Sequence, residues 1–166
     1  MKTGLEKDAR IISTGNDELD KKIGGGIPLR SLSLVEGQPD SGKSVLSQQM
    51  VWGSLKKGCS AVVFTTENTV KSLVTQMQSL NLDILDYLLL SRLWIYPIDT
   101  KKSLRDLNSG LLPMMQRYAT KGVDLAIIDS ITYYVTHAST EQVLSFFEEC
   151  KRLAANGMGV ICVAHS

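Results

Sequence analysis

Gly37-Gln38-Pro39-Asp40-Ser41-Gly42-Lys43-Ser44 is a G-x-x-x-x-G-K-[ST] stretch between an apolar run and a helix-period pattern, and its reading decides the fold. Before it, Ser31-Leu32-Ser33-Leu34-Val35-Glu36 reads as a short strand; after it, Val45, Leu46, Gln49 and Trp52 open a helix that closes near Gly58. Strand, glycine loop and helix in that order make a phosphate-binding loop. Glycines at 37 and 42 let the backbone wrap an anion, and successive N–H groups at a helix start aim positive charge at it. Lys43 adds a full charge, and the Ser44 hydroxyl suits a magnesium ion. A plain Gly/Ser turn with a solvated lysine does not need Gly, Lys and a hydroxyl in that order. Gly37, Gln38, Pro39, Asp40, Ser41, Gly42, Lys43, Ser44 and Val45 are therefore the expected nucleotide-binding residues, with ATP and Mg2+ as cofactors. Asp40 is the discordant member: it puts a carboxylate in an anion loop and must point outward.

Working outward, apolar runs recur at helix-length intervals. They are Ser60–Thr65, Leu93–Tyr96 (ended by Pro97), Val123–Asp129 and Gly159–Ala164. Between them lie helical patterns over about Val70–Leu80, Ile84–Leu90 and Leu104–Tyr118, the last with a kink or restart expected at Gly110 and Pro113. Ser139-Thr140-Glu141-Gln142 is a capping box before a helix with Val143, Phe146, Phe147, Cys150 and Leu153 on one face. Upstream, Asn16 caps a short helix with Asp17 and Glu18 at its start, Lys21 and Lys22 at its end and Gly24 as terminator. Gly24-Gly25-Gly26-Ile27-Pro28 then turns the chain. Five apolar strands separated by helices predict a three-layer α/β/α fold with a mostly parallel central sheet, and ligands in such sheets sit beyond the strands' carboxyl ends.

Three polar residues mark those ends. Asp129 closes an apolar strand, where a carboxylate can hold the magnesium shell with Ser44; the same pattern also marks an ordinary strand-ending turn. Glu67 follows the Val62–Thr66 segment and is the candidate catalytic base for the water that attacks the γ-phosphate, against the reading of a solvated loop acid. His165 follows the last strand, either as a γ-phosphate sensor or as a surface or capping histidine.

Composition bounds the rest. With 166 residues, 43% hydrophobic content and net charge +1, the chain fits one domain with a sizeable core and offers no broad electrostatic footprint for duplex DNA. Cys59, Cys150 and Cys162 lack C-x-x-C spacing and read as reduced core thiols of an intracellular protein. The polar Met1–Arg10 segment has no apolar h-region, and no stretch is long enough to span a bilayer, so membrane association is expected only through a partner.

These residues carry a resemblance. Ser13-Thr14-Gly15-Asn16 through Leu19-Asp20, the Gly24–Pro28 turn, the phosphate loop with Ser44-Val45-Leu46-Ser47-Gln48-Gln49, Thr65-Thr66-Glu67-Asn68 and Ile127-Ile128-Asp129-Ser130 together resemble the KaiC-like branch of the RecA-type ATPases. Within it, the chain is most similar to the archaellum accessory ATP-binding proteins. The resemblance covers essentially all 166 residues as a single RecA/KaiC-like domain. It implies a sheet in which the phosphate-loop strand neighbours the last strand, then the Asp129, Glu67 and Trp94 strands. It further implies Mg-ATP binding, ring-shaped homo-oligomers, and docking to the archaellum motor ATPase and through it to the membrane platform protein, at the cytoplasmic face of the membrane. Two departures bear on function. KaiC-type domains often carry two adjacent glutamates where this chain has Glu67-Asn68, so weak hydrolysis is expected, and relatives continue with further strands after the position of Ser166.

The preferred reading is a nucleotide-dependent assembly factor. The alternatives are a working ATPase with Glu67 as base, and a recombinase-like module binding single-stranded DNA through Lys101, Lys102 and Arg105. Nucleic acid is the least favoured partner, because those basic residues also read as a solvated helix start.

Overall fold

The computed structural model describes residues 11–100 and 106–166. Its centre is a five-stranded parallel sheet. In chain order the elements begin with β1 (Ile11–Ile12), α1 (Asp17–Lys22), β2 (Ile27–Pro28), β3 (Leu32–Gly37), α2 (Lys43–Lys56), β4 (Ala61–Thr65), α3 (Val70–Ser79), α4 (Leu85–Leu89) and β5 (Leu93–Pro97). A single π-helical turn (Leu107–Leu111), α5 (Leu112–Thr120), β6 (Leu125–Asp129), α6 (Thr132–His137), α7 (Thr140–Ala155) and β7 (Gly159–His165) follow. The sheet order is β3-β7-β6-β4-β5, the order that the resemblance implies.

Both faces of the sheet are covered, which is why its strands read as unbroken apolar runs. Along β4, Val62 and Phe64 face a core shared with α5 and α7, including Leu111, Met115, Phe146 and Cys150. Ala61 and Val63 face a second core with Met50, Val51 and Leu55 of α2 and with Leu73 and Met77 of α3. Burial pushes the Cys150 thiol up to about 12 and the Cys162 thiol well above its ordinary value, in keeping with core thiols.

Local signals explain most boundaries. The Asn16 side chain accepts from the amides of Glu18 and Leu19, and the Ser139–Gln142 capping box forms in both directions. A second box, Thr69 with Ser72, starts α3. The break expected at Gly110–Pro113 takes a definite form: a π turn capped by Asp106, then α5 with Pro113 in its first turn, where a missing N–H costs nothing. The first two residues of that expected helix, and the Lys101–Lys102–Arg105 cluster, lie outside the described residues, as does Met1–Arg10.

Three details correct the sequence reading. The Gly24–Pro28 segment is more than a turn, since Ile27–Pro28 pairs antiparallel with Ile11–Ile12. A Cβ on Gly26 would stand 2.3 Å from the Ile12 carbonyl oxygen, so only glycine admits that pairing. Helix α6 fills what read as a connection between the fourth strand and the capping box. In α2 the expected face of Val45, Leu46, Gln49 and Trp52 is only partly buried, whereas Lys43, Ser47, Gln48, Met50, Val51, Ser54 and Leu55 are fully buried. The start of α2 buries polar groups because it lies under the site, and that blurs its amphipathic period.

Candidate functional site

The loop after β3 is shaped by three backbone choices. Gly42 takes φ 88° as the residue that caps α2, and Asp40 takes φ 60°, a region that aspartate tolerates better than most side chains. At Gly37 an added Cβ would stand 2.8 Å from Ser41 Oγ, so a larger residue there requires the Ser41 side chain to turn aside. Asp40 is exposed, as its place in an anion loop requires. Lys43 is buried: its ammonium turns back into the loop and donates to the Gln38 carbonyl and, at 3.3 Å, to Ser41 Oγ. The first amides of α2 then open on the same space, an arrangement that attracts phosphate oxygens.

Strand ends bring the other groups to this loop. Parallel register sets Thr65 beside Asp129, Asp129 beside Val163, and Gly37 beside His165. Beyond β4 the chain is held in place: Thr66 N donates to Asp129 O at 2.9 Å, Ser130 N donates to Thr66 Oγ1 at 3.1 Å, and Thr65 Oγ1 accepts from Asn68 N at 3.1 Å. The Asp129–Ser130 peptide is cis. Glu67 is thereby carried across the tip of β6 to His165, whose Nε2 lies 2.6 Å from Glu67 Oε1. Sequence reasoning named both residues without pairing them. It also placed His165 after the last strand, whereas it is the last residue of β7, its amide donating to Thr132 Oγ1 at 2.8 Å.

An open cleft of about 610 Å³ results, lined by loop residues 39, 40 and 42 to 45 together with Glu67, Asn68, Gln76 and His165. That volume suits a nucleotide-sized ligand. Gly37, Gln38 and Ser41 shape the loop without lining this cleft.

Asp129 sits beneath, 6% exposed. Its Oδ2 accepts a long bond of 3.4 Å from Ser47 Oγ, and its Oδ1 is buried without a protein partner. Burial is the main reason its carboxyl is pushed above the usual range. The Ser44 hydroxyl opposes that, Glu67 adds to it by repulsion, and Ser47 and His165 oppose it more weakly. A hydroxyl and an under-satisfied carboxylate at a phosphate loop form an all-oxygen donor set, the kind that fits magnesium shared with phosphate and water. Among the described residues there is no cluster of three or more His, Cys, Asp or Glu side chains.

Gln48, Gln76 and Asn68 are the site-associated residues that sequence reasoning missed. Gln48 Nε2 donates to Gln76 Oε1 at 3.0 Å, linking buried α2 to the cleft wall on α3. No local signal in the sequence marks Gln48, because polar and apolar residues are mixed along α2.

No helix among the described residues is long and apolar enough to cross a membrane. A family model described as "ATPase: KaiC" matches residues 12–165. The archaeal flagellar ATP-binding protein FlaH of Sulfolobus acidocaldarius is 34% identical over 160 residues, covering 93% of this chain and 69% of the relative. FlaH of Methanocaldococcus jannaschii is 34% identical over 171 residues, covering 98% and 70%. The crystal structure of the flagellar accessory protein FlaH from Methanocaldococcus jannaschii superposes with TM-score 0.76 at 34% identity, covering 93% of this chain and 70% of that one. The chain belongs to the KaiC-like ATPases and, within them, to the FlaH family of archaeal flagellar ATP-binding proteins.

Proposed function

We propose that this chain binds ATP with magnesium in the cleft beyond β3, β4, β6 and β7. Nucleotide occupancy then controls its assembly into homo-oligomeric rings and their docking to the archaellum motor ATPase, with hydrolysis weak. One observation carries the reading: the glycine loop with Lys43 and Ser44 converges with Glu67 and His165 on a single cleft, with buried Asp129 beneath it. The partner assignment rests on FlaH membership and carries with it a place at the cytoplasmic face of the membrane, held through the motor ATPase and platform protein.

The roles follow from the chemistry of each group. Amides at the start of α2 and the Lys43 ammonium offset phosphate charge. Ser44 and Asp129 hold the metal, which when bound neutralises charge on the phosphate oxygens. Glu67 accepts the proton of an attacking water, and His165 senses the terminal phosphate. An ionised Glu67 only accepts hydrogen bonds, so the 2.6 Å contact puts the hydrogen on His165 Nε2. A carboxylate already engaged in this way must give up that contact before the same oxygen can take a proton from water, which supports slow turnover.

Melting with and without Mg-ATP tests the reading. A ligand at 100 times its Kd adds about 2.7 kcal/mol, or roughly 5–10 °C for a chain of this size. Lys43→Ala is expected to remove that shift, and the oligomer mass of the unsubstituted chain is expected to rise with Mg-ATP. An unchanged melt and mass would end the proposal. A second reading, an active ATPase, is favoured by the position of Glu67 on the cleft wall. It requires steady phosphate release that Glu67→Gln abolishes while nucleotide binding is kept.

A further inference from the structure

Two buried oxygen atoms near the site have no protein partner: Asp129 Oδ1 and Gln48 Oε1. Buried polar atoms are seldom left unpaired, because each carries a desolvation cost that a hydrogen bond normally offsets. With Asp129 ionised both are acceptors, so neither then satisfies the other. Their residues, 6% and 3% exposed, line the same small pocket between α2, α3 and the sheet, together with Ser47, Thr65 and Asn68. The free volume in that pocket is about 10 Å³, and roughly 10–15 Å³ is the smallest space that holds one water molecule.

We propose that one internal water sits between Asp129 and Gln48, donating one hydrogen to Asp129 Oδ1 and the other to Gln48 Oε1. Gln48 is thereby a positioning residue for Asp129. Asn68 completes the site: its amide oxygen already accepts from Ser72 Oγ at 3.1 Å, and its NH2 group is the donor available to the water's lone pair. Small neutral molecules with two donors and one acceptor fit this set, and among them only water has the size. The chain of contacts then runs from Asp129 through the water to Gln48, and on to Gln76, which lines the nucleotide cleft. Groups that orient a metal-holding carboxylate in this way typically change metal affinity 10–100-fold when removed.

The water itself does not depend on nucleotide, whereas the positioning role rests on the Mg-ATP reading above, and the two are separable. A crystal structure of the unsubstituted, nucleotide-free chain at about 1.5 Å is expected to show a density peak within hydrogen-bond distance of both oxygens. A dry pocket, or the two oxygens in direct contact through a shared proton, would overturn the proposal. Gln48→Leu is expected to remove the peak and to weaken magnesium-supported nucleotide binding about tenfold, leaving magnesium-free binding of the same nucleotide unchanged. Equal loss with and without magnesium would overturn the positioning role. Absence of any nucleotide binding in the unsubstituted chain would instead overturn the proposed function while leaving the water to be judged from the density.

Discussion

Asp20 and Asp129 are both aspartates with restricted access to solvent, and the protein treats them in opposite ways. Asp20 closes a loop at the start of the described chain: Ser13 Oγ donates to it at 2.6 Å, Thr14 N at 2.8 Å and Thr14 Oγ1 at 2.7 Å. Hydrogen bonding from Ser13 is the largest cause holding its carboxyl below the usual range; burial works against it, and Thr14 and Lys57 assist. Asp129 has one long bond and one orphaned oxygen, and burial drives it the other way. A carboxylate whose lone pairs are filled by its own chain belongs to the scaffold. One that is buried with capacity left over stands where a ligand, metal or water completes it.

The contrast is open to direct attack. The largest expected effect is on the unfilled side: Asp129→Ala should weaken magnesium-supported ATP binding by about 100-fold or more, read by titration with and without the metal, because it removes the carboxylate proposed to hold the ion. Retained metal dependence would put the carboxylate outside the site. Next comes the filled side. Asp20→Ala removes three hydrogen bonds to a charged but partly exposed group and is expected to cost about 1–2 kcal/mol in urea unfolding, with nucleotide binding intact in the folded fraction.

The two should also differ in pH dependence, measured without nucleotide or metal. A lowered folded-state pKa gives stability that is present above the ordinary aspartate range and lost as pH falls through the folded value. The gap between the unsubstituted chain and Asp20→Asn should therefore close in acid. A raised folded-state pKa gives the reverse, with stability complete below the ordinary value and lost as pH rises through the folded one. Asp129→Asn should accordingly be at least as stable as the unsubstituted chain at neutral pH, and its advantage should vanish in acid. Two parallel pH curves would erase the distinction. The smallest effect is expected at Ser47→Ala, within about 0.5 kcal/mol, because its bond to Asp129 is 3.4 Å long and its hydroxyl also serves the Ser44 carbonyl at 2.9 Å.

The same contrast shows which parts of the molecule were legible in the sequence. The phosphate loop, the five sheet strands, the Asn16 cap and the Ser139–Gln142 box all rest on short-range chemistry, in which spacing and residue type act within one turn or one strand. The β1–β2 pairing was not legible, because two-residue strands carry no periodicity and their partner lies across a glycine turn. The π turn before α5 could be read only as a break, since Gly110 and Pro113 interrupt a helix without saying how it recovers. Gln48 escaped because nothing local distinguishes a buried glutamine from an exposed one; its meaning comes from Asp129 on β6 and Gln76 on α3. The Glu67–His165 contact escaped for the same reason, as it joins strand tips on either side of β6.

The claim on which the account turns is that the loop from Gly37 to Ser44 captures a triphosphate. Titration calorimetry of the folded chain with ATP and magnesium measures it directly. The expected result is a saturable heat that disappears in Lys43→Ala and shrinks when magnesium is withheld. No heat from the unsubstituted protein with any purine triphosphate, or an undiminished isotherm in Lys43→Ala, would contradict it.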